Sequence, residues 1–135
     1  MIQSNFQKIE DFQKAAGAKR PSSPTTPDLD ILQFRLKLIS EEFDEVKEAI
    51  TQICEQAAGE QDQPLASLAH ELADLLYVVY GTFSACGIDA DAVFAEIHRA
   101  NMTKMDGPRR EDGKLLKPPG WQPADVASLI KRLGR

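Results

Sequence analysis

The chain has 135 residues, of which 42% are hydrophobic and 27% charged, with a formal net charge of -5. This composition excludes a disordered chain and suits one domain that buries a core. The acidic balance argues against a long nucleic-acid duplex as partner, since such binders carry a basic excess. An anionic small molecule stays open if metal ions screen the acid.

Cys54 and Cys86 show no CxxC or Cys/His spacing and lie within apolar helical patterns, so both are expected to be buried, reduced thiols. The opening MIQSNFQKIEDF is amphipathic, not apolar, and suggests no signal peptide. No run approaches the ~18 apolar residues of a membrane span. Cytoplasm is the expected location, with no membrane partner.

In chain order, Ile2, Phe6, Ile9 and Phe12 recur at helical spacing, which predicts a short amphipathic helix over 2–16 with Gly17 at its C-terminal cap. KRPSSPTTPD then reads as an ordered or semi-extended linker. Asp28 is the expected N-cap of a long helix over 29–57. There Leu29, Leu32, Leu36, Ile39, Phe43, Val46, Ile50 and Ile53 form a heptad seam. GEQDQP, residues 59–64, breaks the pattern. A third helix is predicted over 65–86, apolar on most sides, as suits the middle of a bundle. Gly87 ends it. A fourth begins near Asp89 and carries Val93, Phe94, Ile97 and Met102. Residues 106–122, rich in Gly, Pro and basic side chains, read as an irregular arm, mobile without ligand. ADVASLIKRL forms a short last helix. No strand is expected.

The carboxylates are the informative feature. Glu42 and Glu45 lie three apart on one helix face, and Glu41 and Glu45 four apart. Glu71 and Asp74, in HELAD, are again three apart, and their neighbours are leucines. Paired like charges in an apolar stretch are costly to bury and require compensating positive charge. The nearby helix supplies no Lys or Arg. Mg²⁺ or Mn²⁺, which prefer oxygen ligands, would serve, and facing helices of a bundle can build such a site. His70 is expected to point away from Glu71 as a surface or interface residue, and His98 to be structural.

In this order, Glu42-Phe-Asp-Glu45 and Glu71-Leu-Ala-Asp74 resemble the ExxE…ExxD signature of the MazG-like, all-α nucleoside triphosphate pyrophosphatases. RLKLISEEFDEVKEAI, HELADLLYVVYGTFSACGID, AEIHRANMTK and DGKLLKPPGW resemble the same family, over about residues 6–123. The overall layout is similar to the phosphoribosyl-ATP-pyrophosphohydrolase-like and short phage-type MazZ members. Many of those have a histidine after the first-helix phenylalanine, where this chain has Gln13.

The resemblance implies cleavage between the α- and β-phosphates of a nucleotide, releasing a monophosphate and a diphosphate. It implies that Glu42, Glu45, Glu71 and Asp74 ligate Mg²⁺ or Mn²⁺ and that Glu41 is the general base. Asn101 and Lys104, matching NxxK, would contact the nucleotide. Lys114 would close over the phosphates from the arm, with Lys117 a weaker candidate. Likeness to the MazZ type points to dGTP or GTP as substrate. Asn5, Gln7 and Gln13 could pair with a base edge, and Trp121 or Phe6 could stack on it. Alternatives are a dUTP- or dCTP-directed enzyme, a phosphoribosyl-ATP pyrophosphatase, and a non-enzymatic helical oligomerisation module.

The expected fold is a single all-α domain spanning 1–135, a bundle built on the hairpin of the two long helices. The heptad seam and the apolar third helix exceed what a monomer needs. A homodimer or homotetramer is therefore expected, with a nucleotide pocket that borrows residues from a second subunit.

Overall fold

The computed structural model describes residues 2–56 and 62–134. Five helices stand among them: α1 (Asn5–Ala15), α2 (Leu29–Glu55), α3 (Asp62–Ala85), α4 (Ala90–Met102) and α5 (Val126–Leu133). The architecture is all-α, as expected. The one β feature among the described residues is an isolated antiparallel bridge between Arg109 and Leu115.

Helix ends follow local chemistry. Ser4 caps α1 through a reciprocal capping box with Gln7. Gly17, at φ +83°, takes the left-handed position that closes α1, while the Ala18 amide donates to Gln13 O at 2.9 Å. Asp28 precedes α2 as predicted, but its side chain makes no capping hydrogen bond. Asp89 and Asp125 do cap α4 and α5. Most of the predicted break at 59–64 lies outside the described residues. Its last part is helical, because Pro64 sits in the first turn of α3, where a missing N–H forfeits no intrahelical bond.

α2 and α3 pack antiparallel: Arg35 reaches Val78 and Thr82, and Glu42 faces Glu71 and Asp74 further along. α1 also packs on α3, where Phe6 meets Tyr80 at 6.0 Å and Phe12 meets Tyr77 edge-on at 5.4 Å. Phe6 is buried at 2% exposure, so it belongs to the core and cannot stack on a base. The linker is pinned to the α3–α4 corner, with the Thr25 amide donating to Cys86 O at 2.8 Å. A side chain at Gly87 would collide with Ser23 O, so the corner closes only around glycine.

Burial departs from the sequence reading. The expected seam splits: Val46 is buried and Leu32 and Ile39 half-buried, but Leu29, Leu36, Phe43 and Ile50, each seven apart, are exposed. Leu65, Leu72 and Leu76 of α3 and Phe94 of α4 are exposed as well. Cys86 is half-buried and Cys54 exposed, which corrects the expectation of two buried thiols; both are free. Cys54 lies in the last turn of α2, where the hairpin leaves that face uncovered. No single helix among the described residues is long and apolar enough to cross a membrane; α3 and α4 combine the length and apolar composition only together, across a 111° bend.

Candidate functional site

The centre of the α2–α3 hairpin brings the predicted carboxylates together. Glu42 is half-buried on the α2 face toward α3, with Glu71 and Asp74 half-buried opposite. Glu41 and Glu45 are exposed on either side of Glu42. Burial pushes the Glu42 carboxyl above its ordinary value, and the charges of Asp74, Glu71, Glu45 and Glu41 push it further in the same direction. Among the described residues, no Lys or Arg forms an ion pair with Glu41, Glu42, Glu45 or Glu71.

His70 departs from its expected orientation. Its Nε2 lies 3.0 Å from Asp74 Oδ2, one helical turn on, and His70, Glu71 and Asp74 can offer ligand atoms all within 4.8 Å of one another. The i,i+4 spacing of HELAD held that signal; reading His70 only against its neighbour Glu71 missed it.

The donor set fits a hard divalent cation. It consists of carboxylates on adjacent turns of two antiparallel helices, mutually repelling and, among the described residues, without a Lys or Arg counter-charge. Mn²⁺ also tolerates an imidazole at the edge of such a set.

The other predicted residues form a separate group. Asn101 is exposed in the last turn of α4, and Lys104 follows in the turn beyond. Trp121 gathers this region: its Nε1 donates to Ala100 O at 3.1 Å and to Thr103 Oγ1 at 2.7 Å. Lys104 Nζ stands 4.8 Å and Lys117 Nζ 5.3 Å from the Trp121 ring centre. The indole is thus an anchor for the arm with both lysines over it. Lys114 is exposed where a tight turn over Glu111 and Asp112 closes: the Arg110 amide donates to Lys114 O at 2.8 Å and the Leu116 amide to Pro108 O at 2.7 Å. The arm therefore has internal order beyond the irregular segment expected. No hydrogen bond or ion pair among the described residues links Asn101, Lys104 or Lys114 to the carboxylates.

The sequence model of the family described as phosphoribosyl-ATP pyrophosphohydrolase matches residues 9–101, well over half the chain. The chain belongs to that family. The match takes in the full α2–α3 hairpin with all its carboxylates, and α4 up to Asn101. Membership agrees with the MazG-like resemblance and implies a pyrophosphohydrolase acting on a nucleotide, in a family that typically depends on a divalent metal. No curated protein sequence matches the chain.

Proposed function

We propose that the protein hydrolyses a (deoxy)nucleoside triphosphate between its α- and β-phosphates, using Mg²⁺ or Mn²⁺ held by Glu42, Glu45, Glu71 and Asp74. The observation that carries this reading is the half-buried Glu42, opposed by Glu71 and Asp74 across the hairpin with no Lys or Arg partner among the described residues. Such a cation supplies electrostatic stabilisation of the charge that builds on the phosphate oxygens. Glu41 points about 100° round the helix from Glu42, which frees it to accept a proton from the attacking water. His70 holds the Asp74 carboxylate from its outer side. Asn101, Lys104 and Lys114 bind the nucleotide and its phosphates as fixed donors and positive charges.

The separation of that second group from the carboxylates favours a site completed by another copy of the chain. The chain presents 9984 Å² of accessible surface, against about 7000 Å² for a compact monomer of its mass. A stable obligate interface covers about 1000–2500 Å² of each partner, which this excess can supply, and the exposed stripe of Leu29, Leu36, Phe43 and Ile50 lies where such a seam would form. A homodimer or homotetramer would bury this stripe and could carry one copy's α4 residues to the other's carboxylates. Cytoplasmic residence belongs to the same proposal.

For substrate we propose a purine nucleotide, dGTP or GTP first, on the likeness in layout to the MazZ type. Phosphoribosyl-ATP is the second reading, favoured by the family description itself. A panel of dGTP, GTP, dATP, dCTP, dTTP, dUTP and phosphoribosyl-ATP with Mg²⁺ or Mn²⁺, with products identified, tests both. We expect monophosphate and diphosphate from dGTP. Tenfold faster cleavage of a pyrimidine nucleotide or of phosphoribosyl-ATP overturns the guanine assignment.

A further inference from the structure

A second polar feature lies on the α2–α3 seam, at Arg35. Seven residues separate it from Glu42, which keeps both on one face of α2, about 10 Å apart along the axis. Arg35 heads a cleft of about 400 Å³ between α1, α2 and α3, lined also by Gln13, Lys19, Arg20, Phe34 and Gly81. We propose that this cleft is a binding subsite for a phosphate monoester, distinct from the carboxylate cluster.

The guanidinium is positioned by α3. Arg35 Nε donates to Thr82 Oγ1 at 3.1 Å and Nη2 to Val78 O at 2.7 Å. A guanidinium has five donors, so these two bonds fix its plane and leave donors for a ligand. Gly81 makes the approach possible, since a side chain there would collide with Arg35 Nη2. Among the described residues Arg35 has no carboxylate partner. Burial makes that cation costlier to hold, and its pKa is lowered accordingly. No Asp or Glu lines the cleft, whereas Lys19 and Arg20 add charge at its mouth, Arg20 already paired with Glu10.

A neutral base edge would accept the free donors but leave the charge uncompensated. A phosphate supplies two acceptors for the fork and the opposite charge together. The volume leaves room for a sugar attached to that phosphate, with the exposed Phe34 beside it. The dGTP or GTP proposed above carries no phosphate remote from its triphosphate, so the group belongs to a separate small phosphate ester.

The proposal does not rest on the pyrophosphohydrolase reading, and its test uses metal-free full-length protein. Nitrogen-15 NMR of the Arg35 Nε–H would follow titrations with inorganic phosphate, ribose 5-phosphate and ribose. We expect saturable shifts with the first two and none with ribose. Tighter binding of ribose 5-phosphate than of phosphate assigns the cleft to a sugar phosphate; equal binding assigns it to the phosphate group alone. Lys19→Ala, an exposed change that leaves the helices intact, should weaken binding at least threefold. Arg35→Lys should weaken it further by losing the fork, and Glu71→Gln should leave it unchanged. No saturable shift, an equal response to ribose, or loss of binding in Glu71→Gln overturns the subsite.

Discussion

The two ends of the α2–α3 seam share one backbone geometry and carry opposite chemistry. At Glu42 the facing positions are Glu71 and Asp74, and the charges repel. One heptad earlier, at Arg35, the facing positions are Val78, Gly81 and Thr82, and α3 offers only a carbonyl, a hydroxyl and empty space. A helical hairpin therefore does not by itself dictate what its seam binds. Side-chain size decides whether a charged group can reach across, and charge decides which ion would satisfy it. The repelling end suits a cation and the unpaired guanidinium suits an anion.

The sharpest way to break this comparison is at the acid end. Glu71→Gln should reduce turnover by at least about a thousandfold, since it removes a ligand from a site whose work is electrostatic. Mn²⁺ should no longer raise the melting temperature, while circular dichroism stays helical. Near-normal activity would falsify the ligand assignment. Glu41→Gln should lower kcat by about 10²–10⁴-fold, the range for losing a general base, yet keep metal and nucleotide affinity. Parallel collapse of nucleotide binding and rate would remove Glu41 from the role of base.

At the other end, Gly81→Ala should push the Arg35 guanidinium out of its place, since the added methyl meets only the far ends of the Arg35 and Gln13 side chains, while the ~1 kcal/mol gain in helix propensity keeps the net change in stability small in urea denaturation. It should also weaken phosphate binding at Arg35 while sparing the Mn²⁺-induced rise in melting temperature. Loss of both together would show that the two ends are one site. Outside the hairpin, Trp121→Phe removes the donor that ties the arm to α4 and should cost about 1–2 kcal/mol. Hydrogen exchange over 106–122 should rise in that variant; unchanged exchange would mean that the arm is held elsewhere. In the wild type, a non-hydrolysable analogue should protect the same segment if the arm orders over the phosphates.

The smallest effect is a pH effect. Two hydrogen bonds from Arg99 and one from the Asp125 amide hold the Glu96 carboxyl down to about 2, from an ordinary 4.5. A depressed folded-state value means that the contribution is complete above about 4.5 and is lost as pH falls toward 2. The α4–α5 contact should loosen in that window, and Glu96→Gln should remove this part of its acid sensitivity.

The sequence by itself determined the helices, the glycines that end α1 and α3, the Asp89 cap of α4 and the two carboxylate pairs. Capping, proline and glycine effects act within a few residues, and the 3.6-residue period places Glu42 with Glu45 and Glu71 with Asp74 whatever the rest of the chain does. The family, too, was legible in those motifs. Tertiary structure alone decided which side of each helix is covered. The seam of α2 is regular along the chain, yet its Leu29–Leu36–Phe43–Ile50 stripe is exposed, because α3 covers only one flank of α2. Phe6 and Trp121 have the same aromatic look in the sequence. Burial against Tyr80 makes one a core residue, and hydrogen bonds to the end of α4 make the other an anchor. The significance of Arg35 was equally out of reach, because it depends on the absence of a side chain at Gly81, forty-six positions away in the chain, and on an acid partner that none of the described residues supplies.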